Sequence, residues 1–196
     1  MYTTTYPVFI DTVFKLNKKS QQIIKNIILV LFGSMILAFS SKVSIPFYPV
    51  PFTMQTFAVL LIGGMYGSKL GTITVLAYIF EGLIGLPVFA NGIGLSYVMG
   101  TTGGYLIGFL IAVYLVGKGA ELGHDRLLFK SLLWFALGDI VLYTCGLSWL
   151  TYLFGFEKAL TFGFYPFILS EIAKFILASL TLKSLWGYFP SNNNSI

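Results

Sequence analysis

Residues 23–41 read IIKNIILVLFGSMILAFSS, and Lys25 is the only charged residue among them. A helix of this length extends about 28 Å, at ~1.5 Å per residue, and the hydrocarbon core of a bilayer is about 30 Å thick. Surface helices of soluble proteins keep a polar face over such a length, because one side of them meets water. The segment therefore predicts a membrane-spanning helix, and it places the chain among all-α integral membrane proteins.

The composition of the whole chain agrees with this assignment. Of its 196 residues, 57% are hydrophobic and only 10% are charged, whereas soluble domains carry about 25% charged residues. A soluble domain of this composition would expose a large apolar surface to water, which soluble monomers avoid. Lipid is therefore the main solvent of this protein, and its length predicts one compact membrane domain.

Five further apolar segments follow the first one. We predict membrane spans at residues 53–66, 69–88, 101–116, 127–150 and 162–185. The sequence thus divides into a cytoplasmic N-terminal segment at 1–22, a six-helix membrane domain at 23–187 and a C-terminal tail at 188–196. The tail is rich in Ser and Asn and is predicted to be disordered, because such a composition buries too little apolar surface to fold.

Two connecting segments have unusual sequences. Residues 44–52 read SIPFYPVPF, and three prolines within six residues exclude a helix, since each proline removes a backbone donor and restrains its predecessor. Residues 91–97 read NGIGLSY, which is neither strongly apolar nor charged. We predict a stiff extended loop at 44–52. At 91–97 we predict a loop that dips into the helix bundle, where protein or water satisfies its backbone.

The distribution of positive charge predicts the orientation in the membrane. Six spans place both termini on one side. Nine Lys and Arg residues lie on that side: Lys15, Lys18, Lys19, Lys25, Lys69, Lys118, Arg126, Lys130 and Lys183. Only Lys42 and Lys158 lie on the other side. Because positively charged loops stay in the cytoplasm, we expect cytoplasmic termini. The two unusual loops and the loop around Gly155 then face outward, around an outward-facing ligand pocket.

Several classes of function are excluded by the sequence. The single cysteine, Cys145, forms no internal disulfide and no multi-cysteine metal site, and the single histidine, His124, assembles no Ser-His-Asp set. Residues 92–97 begin like a dinucleotide fingerprint but lack its third glycine, and Gly117-Lys118 lacks the flanking residues of a phosphate loop. The net charge of +5 follows the membrane topology and forms no patch. We therefore expect no enzymatic activity, no metal, no cofactor and no nucleic-acid partner.

The strongest candidate for a functional site is Glu171-x-x-Lys174 in the sixth predicted span. A charge at mid-bilayer costs at least ~2.5 kcal/mol, so each one requires a reason. Residues three apart share one face of a helix, and these two lie nine to twelve residues into the span. Either they form a structural ion pair between helices, or they line a polar ligand site inside the bundle. We favour the ligand site, because both charges point to one place beside the outward loops.

Two other acidic residues lie inside apolar segments, and small residues lie along the first span. Asp139 either faces the same cavity or bonds to a neighbouring helix, and the sequence leaves both open. Glu81, beside a glycine near a helix end, favours a structural role. Ser34-x-x-x-Ala38 is a spacing that lets another helix approach closely. That helix belongs either to the same bundle or to a partner protein.

Long segments of this sequence resemble the BioY family, the biotin-specific substrate-binding (S) components of energy-coupling-factor (ECF) transporters. Residues 45–56, IPFYPVPFTMQT, are similar to the proline-rich Pro-x-Thr-x-Gln signature of that family. The resemblance continues through 81–90, EGLIGLPVFA, and 100–109, GTTGGYLIGF, and it ends at Glu171-x-x-Lys174. It covers about residues 23–185. The family often has Asp where this chain has Glu171, and its Ala-x-x-x-Ala pattern is Ser-x-x-x-Ala here.

This resemblance implies a fold, a ligand and partners. Members are six-helix bundles whose outward pocket is covered by the loop between the first two spans. They work with a transmembrane coupling subunit and two cytoplasmic ATPase subunits, which would supply the ATP hydrolysis that this chain lacks. The resemblance implies partner contacts at Ser34 and Ala38. It implies high-affinity biotin binding by seven residues: Glu171, Lys174, Asn91, Tyr97, Tyr143, Gln55 and Thr53.

Biotin suits such a site chemically. Its ureido group has two N–H donors and one carbonyl acceptor, and each would cost roughly 1–3 kcal/mol if buried without a partner. Glu171 would accept from the N–H groups, and Lys174 or Asn91 would donate to the carbonyl oxygen, with Tyr97 and Tyr143 beside the thiophane ring. Alternatively, Lys174 pairs with the valerate carboxylate. Two other functions remain as alternatives, an S component for another vitamin and a membrane assembly protein without transport activity.

Overall fold

The structure is a computed structural model, and it describes residues 6–16 and 18–188. The predicted tail at 188–196 lies outside these residues except for Tyr188, which ends the last helix. Of the predicted N-terminal segment, residues 1–5 and 17 also lie outside them.

The described chain is mostly helical. Four of its helices are long and apolar enough to cross a membrane, namely α2, α3, α5 and α6, and the bent pair α7–α8 forms a fifth candidate span. The fold is therefore that of a multi-pass membrane protein, as predicted. In chain order the elements are α1 (Phe9–Val13), α2 (Lys19–Lys42), β1 (Ser44–Ile45), β2 (Phe52–Thr53), α3 (Gln55–Leu83), α4 (Gly94–Val98), α5 (Gly103–Glu121), a 3-10 turn (His124–Arg126), α6 (Leu128–Phe154), α7 (Phe156–Gly163) and α8 (Ile168–Tyr188).

Helix α3 is broken at Gly67, where φ is 78° and ψ is 178°. Residues on either side of the break are close in space: a Cβ placed on Gly71 would lie 3.6 Å from the Cα of Gly63. The Gln55 side chain donates a hydrogen bond to the Tyr78 hydroxyl at 2.7 Å across 23 residues, although a straight helix of that length would span about 35 Å. The chain therefore reverses at Gly67, and the two parts of α3 lie side by side.

The two parts of α3, residues 55–66 and 68–83, correspond to the second and third predicted spans. The second part ends at Leu83, before the predicted end at residue 88. Its extension is prevented by Gly85, which adopts a φ of 94°, and by Pro87, which lacks the N–H that a helix interior requires.

Three further predictions differ from the structure. Helix α2 begins at Lys19, one turn before the predicted start at residue 23. Helix α4, Gly94–Val98, lies within a segment that was predicted to be a loop. Helix α8 begins at Ile168 because the chain bends by 54° between α7 and α8. Glu171 therefore lies in the first turn of α8 and not nine residues into a straight span.

Helix α5 packs against both α3 and α6, and its glycines allow these close approaches. A Cβ on Gly108 would lie 2.7 Å from the Leu142 carbonyl oxygen, and one on Gly117 would lie 2.3 Å from the Ser68 nitrogen. Small residues at such crossings let helix backbones touch in a membrane. Helix α5 thereby presents the aromatic side chain of Tyr105 to the centre of the bundle.

The N-terminal segment is tied to the end of the bundle at which α3 reverses. The Tyr6 N–H donates to the Glu121 carbonyl oxygen at 2.8 Å, and the Arg126 guanidinium donates to the Pro7 carbonyl oxygen at 3.2 Å. Glu121 also accepts from the Ser68 N–H, one residue after the reversal. Three of the basic residues on the predicted cytoplasmic side, Lys69, Lys118 and Arg126, therefore belong to one end of the structure.

The opposite end is formed by the proline-rich loop and its neighbours. As predicted, residues 44–53 contain no helix: β1 and β2 pair antiparallel, with Ser44 opposite Thr53. The Thr101 hydroxyl donates to the Pro49 carbonyl oxygen at 2.7 Å, and the Lys42 ammonium donates to the Phe89 carbonyl oxygen. The loop is thereby fixed over the bundle, next to the start of α8.

Candidate functional site

Glu171 and Lys174 form a buried ion pair at the inner end of the proline-rich loop. The Lys174 Nζ lies 2.6 Å from the Glu171 Oε1, and the two residues are only 9% and 4% exposed. The same Nζ donates to the Thr53 carbonyl oxygen at 2.6 Å, which links α8 to the loop. Glu171 also lies at the start of a helix, where the helix dipole favours a negative charge.

The carboxylate of Glu171 is only partly satisfied. Its Oε2 is buried and has no hydrogen-bond partner among the described residues, and the same holds for the Oδ1 of Asp139 on α6. Buried polar atoms are nearly always paired, so an unpaired carboxylate oxygen marks a place where a donor is expected. Asp139 is close enough to Glu171 for a hydrogen bond and thus contacts a neighbouring helix, one of the two arrangements that the sequence left open.

A pocket opens beside the ion pair. The space that water-sized molecules can occupy in it is about 40 Å³, which is enough for a few waters but well below the ~300 Å³ of a small-molecule site. A vitamin-sized ligand therefore enters only when the lining moves. The lining comes from the loop, from α3, α4, α5, α6 and α8 and from the residues before α5 and α8: Val50, Pro51, Thr53, Gln55, Thr56, Tyr97, Thr102, Tyr105, Leu106, Phe109, Leu142, Tyr143, Phe167, Glu171 and Lys174.

Aromatic rings make the walls of this pocket. Phe52 of the loop stacks on Phe167, which precedes α8, with ring centres 4.0 Å apart and planes at 15°. Tyr105 and Tyr143 meet edge to face at 5.6 Å, and the Tyr105 hydroxyl donates to the Gly163 carbonyl oxygen at 3.0 Å. The site thus combines a charged floor with flat apolar walls, which suits a ligand with a polar head and an apolar ring.

Six of the seven predicted ligand-binding residues line this one pocket. Asn91 does not: it is exposed and lines a second, outer cavity of about 380 Å³. Pro51, Tyr97 and Thr102 line both cavities, so the outer cavity lies directly above the pocket. The prediction that residues 91–97 dip into the bundle therefore holds for Tyr97, whose ring stacks on Phe89 at 4.5 Å, but is wrong for Asn91.

Tyr105 and Phe167 are among the lining residues that were not predicted from the sequence. Phe167 lies four residues before Glu171, the spacing that places side chains on one helical face. Tyr105 lies in the segment 100–109 that carries the family resemblance. The sequence therefore contained a signal for each of them: a shared helical face with Glu171 for Phe167, and a place in a family motif for Tyr105.

The two residues predicted to contact a partner, Ser34 and Ala38, are buried to different degrees. Ser34 is 1% exposed, and its hydroxyl donates to the Glu81 carboxylate at 2.8 Å. The side chain thus packs inside its own bundle and does not lie on a free surface. Glu81 accordingly has the structural role favoured from the sequence, because it connects α2 to the second part of α3. Ala38 is half-buried and packs against the core.

Known proteins named as biotin transporters are similar to this chain. A family model described as the BioY family matches residues 13–191. The "Probable biotin transporter BioY" of Pyrococcus horikoshii is 35% identical over 164 residues, which cover 83% of this chain and 97% of that protein. The "Biotin transporter BioY" of Thermotoga maritima is 38% identical over 144 residues, which cover 70% of this chain and 82% of that protein.

A solved structure is also similar. It is the crystal structure of "the S-component for biotin from an ECF-type ABC transporter", with 27% sequence identity and a TM-score of 0.73. The match covers 88% of this chain and 95% of that one. The likeness therefore extends over nearly the whole membrane domain of both chains.

Proposed function

The chain belongs to the BioY family, and we propose that it is the biotin-binding S component of an ECF-type uptake transporter. It captures biotin outside the cell, and partner subunits drive the import with ATP. It is a membrane transport protein and not an enzyme. The observation that carries the proposal is the buried Glu171–Lys174 pair, which lies in an aromatic-walled pocket with one of its carboxylate oxygens unpaired.

The pair offers the groups that a ureido ring needs. The Glu171 Oε2 has no partner among the described residues and accepts from a ureido N–H. Lys174 uses two of its three N–H groups on Glu171 and Thr53, and the third donates to the ureido oxygen. The flat walls formed by Tyr143 and Phe167 then contact the fused rings.

The charge of the site favours one orientation of biotin. Lys174 is already neutralised by Glu171 at 2.6 Å, so a ligand carboxylate beside it would add an uncompensated negative charge in a medium of low dielectric constant. We therefore place the ureido group at the ion pair. The valerate chain points toward the outer cavity, where Asn91 is exposed.

We further propose six membrane crossings with both termini in the cytoplasm. The crossings are α2, the two parts of α3, α5, α6 and the α7–α8 pair. The reversal at Gly67 supports this count, although residues 55–66 alone rise only about 18 Å and need the proline-rich loop to complete the passage. The nine-to-two excess of basic residues on the side of the termini supports the orientation.

Cysteine labelling tests the orientation. In a Cys145→Ser background, Lys158→Cys is expected to react with a membrane-impermeant maleimide added to intact cells, and Lys118→Cys only after permeabilisation. The reverse pattern would place the pocket on the cytoplasmic side and refute uptake from outside.

The proposed partners are a transmembrane coupling subunit and two ATPase subunits. The structural neighbour is a component of an ECF-type ABC transporter, which supports an assembly of this kind. Ala38, half-buried on α2, remains a proposed contact with the coupling subunit. If this is correct, Ala38→Trp leaves biotin binding by the isolated protein intact and abolishes uptake. Loss of both would show that Ala38 packs only within its own bundle.

Equilibrium binding of radiolabelled biotin to the purified protein tests the central proposal. We expect saturable binding that unlabelled biotin displaces and that excess thiamine or riboflavin does not. Displacement by another vitamin instead would favour an S component of different specificity. Absence of saturable binding of any of them would favour the membrane assembly protein.

A further inference from the structure

Asp139 lies beneath the pocket and is not part of its lining. It is on α6, one turn before Tyr143, and is only 9% exposed. Its Oδ1 is buried without a hydrogen-bond partner among the described residues. A carboxylate in the membrane interior is energetically costly. Asp139 belongs neither to the ion pair nor to the pocket lining, so neither of these accounts for its presence.

The nearest ionisable neighbours of Asp139 are Glu171 and Lys174. Asp139 is close enough to Glu171 for a hydrogen bond, and each of these two carboxyl groups has one buried oxygen without a described partner. Lys174 is the one cation that acts on both of them among the described residues. The other titratable groups at this place are the phenols of Tyr105 on α5 and Tyr143 on α6. Both interact with Glu171, and Tyr143 also interacts with Asp139.

Two carboxyl groups beside one ammonium group cannot both be ionised at low energetic cost in such an environment. Neighbouring carboxylates repel strongly in a medium of low dielectric constant, and a single proton held between them replaces the repulsion with a short hydrogen bond. The ammonium of Lys174 is bonded to the Glu171 Oε1. Glu171 is therefore the ionised member, and the proton belongs on Asp139.

We propose that Asp139 is a positioning residue of the binding site, which donates its carboxyl proton to the Glu171 Oε2 and holds that carboxylate in place for the ligand. Asp139, Glu171 and Lys174 then form a neutral group of three. The Oε2 keeps a second lone pair for a ureido N–H. This inference rests on the proposed function, because the ligand that it assists is biotin.

A dependence of biotin affinity on the donor at position 139 follows from this arrangement. A side chain that donates to the Glu171 Oε2 should hold that carboxylate in place, whereas an apolar side chain of similar size should not.

The test compares the wild-type protein with Asp139→Asn and Asp139→Leu by equilibrium biotin binding at neutral pH. Asn keeps an N–H donor for Glu171, and its dissociation constant is expected within about threefold of wild type. Asp139→Leu removes the donor and should weaken binding about tenfold.

Wild-type affinity in Asp139→Leu would overturn the proposal, and so would an equal loss of affinity in Asp139→Asn and Asp139→Leu. If the Leu variant does not fold, Asp139→Ala takes its place in the comparison. If the wild type binds no biotin, the proposed function fails, and melting temperatures of the ligand-free proteins take the place of affinity. The melting temperature of Asp139→Asn should then lie nearer to that of the wild type than the melting temperature of Asp139→Leu does.

Discussion

The chain contains two Lys–Glu pairs with the same spacing, at opposite ends of the bundle. Lys118 and Glu121 close α5, with an N–O distance of 2.8 Å and side chains 42% and 20% exposed. Glu171 and Lys174 open α8, with a distance of 2.6 Å and side chains 5% and 10% exposed. From spacing alone the two pairs are equivalent.

Their remaining hydrogen bonds differ. Glu121 uses both oxygens within the chain: its Oε1 accepts from the N–H and the hydroxyl of Ser68, and its Oε2 accepts from Lys118. Glu171 uses only its Oε1 on Lys174. The first pair therefore stabilises the reversal at Gly67, whereas the second retains an acceptor beside a pocket. An ion pair indicates a ligand site when one oxygen of its carboxylate lacks a hydrogen-bond partner. Burial of the pair alone does not indicate one.

The largest expected effect is that of Lys174→Met. The substitution leaves the Glu171 carboxylate buried without its cation, which typically destabilises a protein by about 3–5 kcal/mol. We expect biotin binding to weaken at least ~100-fold, measured by equilibrium binding, with a clear loss of thermal stability. The double variant Glu171→Gln/Lys174→Met removes both charges and should recover stability but not binding. Binding at wild-type affinity in either variant would show that the pair is only structural.

Asp125 is a buried acid at the opposite end of the bundle from Glu171, and it is expected to affect stability and not biotin binding. It lies in the 3-10 turn after α5, is 3% exposed and accepts a hydrogen bond from the Trp186 indole at 2.8 Å. Burial raises the pKa of Asp125 from 3.8 to about 6, although the Trp186 bond and the Arg126 charge act in the opposite direction.

The folded protein then binds more protons than the unfolded chain between pH 4 and 6, so the free energy of unfolding falls as pH rises through this window. The size of the effect is up to about 3 kcal/mol, at 1.36 kcal/mol per unit of pKa. Asp125→Asn should remove this pH dependence and melt at a higher temperature than wild type at pH 7, without a change in biotin affinity. Equal melting profiles from pH 4 to 8 would contradict it.

Glu171→Gln should have a smaller effect than loss of the lysine. Glutamine keeps the size of the side chain and one acceptor oxygen but loses the charge, and charge-assisted hydrogen bonds contribute roughly 1.5–3 kcal/mol. We expect biotin affinity to fall about tenfold or more. Glu171→Asp is the matched control, because it retains the charge and should bind more tightly than the glutamine variant. Unchanged affinity in Glu171→Gln would remove this carboxylate from the site.

The presence of several membrane-spanning helices could be predicted from the sequence, because hydropathy depends on composition and not on tertiary contacts. The sequence separated the two parts of α3 because Gly63 and Gly64 lie near the end of the second predicted span. It did not predict the bend between α7 and α8, since the sixth predicted span, residues 162–185, was continued through Gly163 and Pro166 near its start. That bend determines where Glu171 lies along its helix.

The charged part of the site was also predictable, because Glu171 and Lys174 are expensive in lipid and share a face. Other parts were not. Thr53 contributes its backbone carbonyl to Lys174, which no side-chain pattern reveals. Phe167 is one of many aromatic residues in apolar surroundings, and only the fold shows that it stacks on Phe52. Asn91 was misplaced because a loop without periodicity gives no information on which side chains face inward.

The smallest expected effect is that of Lys118→Met, the counterpart of Lys174→Met at the other end of the bundle. Lys118 is 42% exposed, so water solvates its charge and that of its partner, and such solvent-exposed pairs contribute little to stability. Glu121 also keeps its two hydrogen bonds from Ser68 after the substitution. We therefore expect a melting temperature within a few degrees of wild type and an unchanged dissociation constant for biotin. A loss of binding comparable to that of Lys174→Met would mean that the two pairs are coupled across the bundle, and the contrast between a structural pair and a ligand-binding pair would no longer hold.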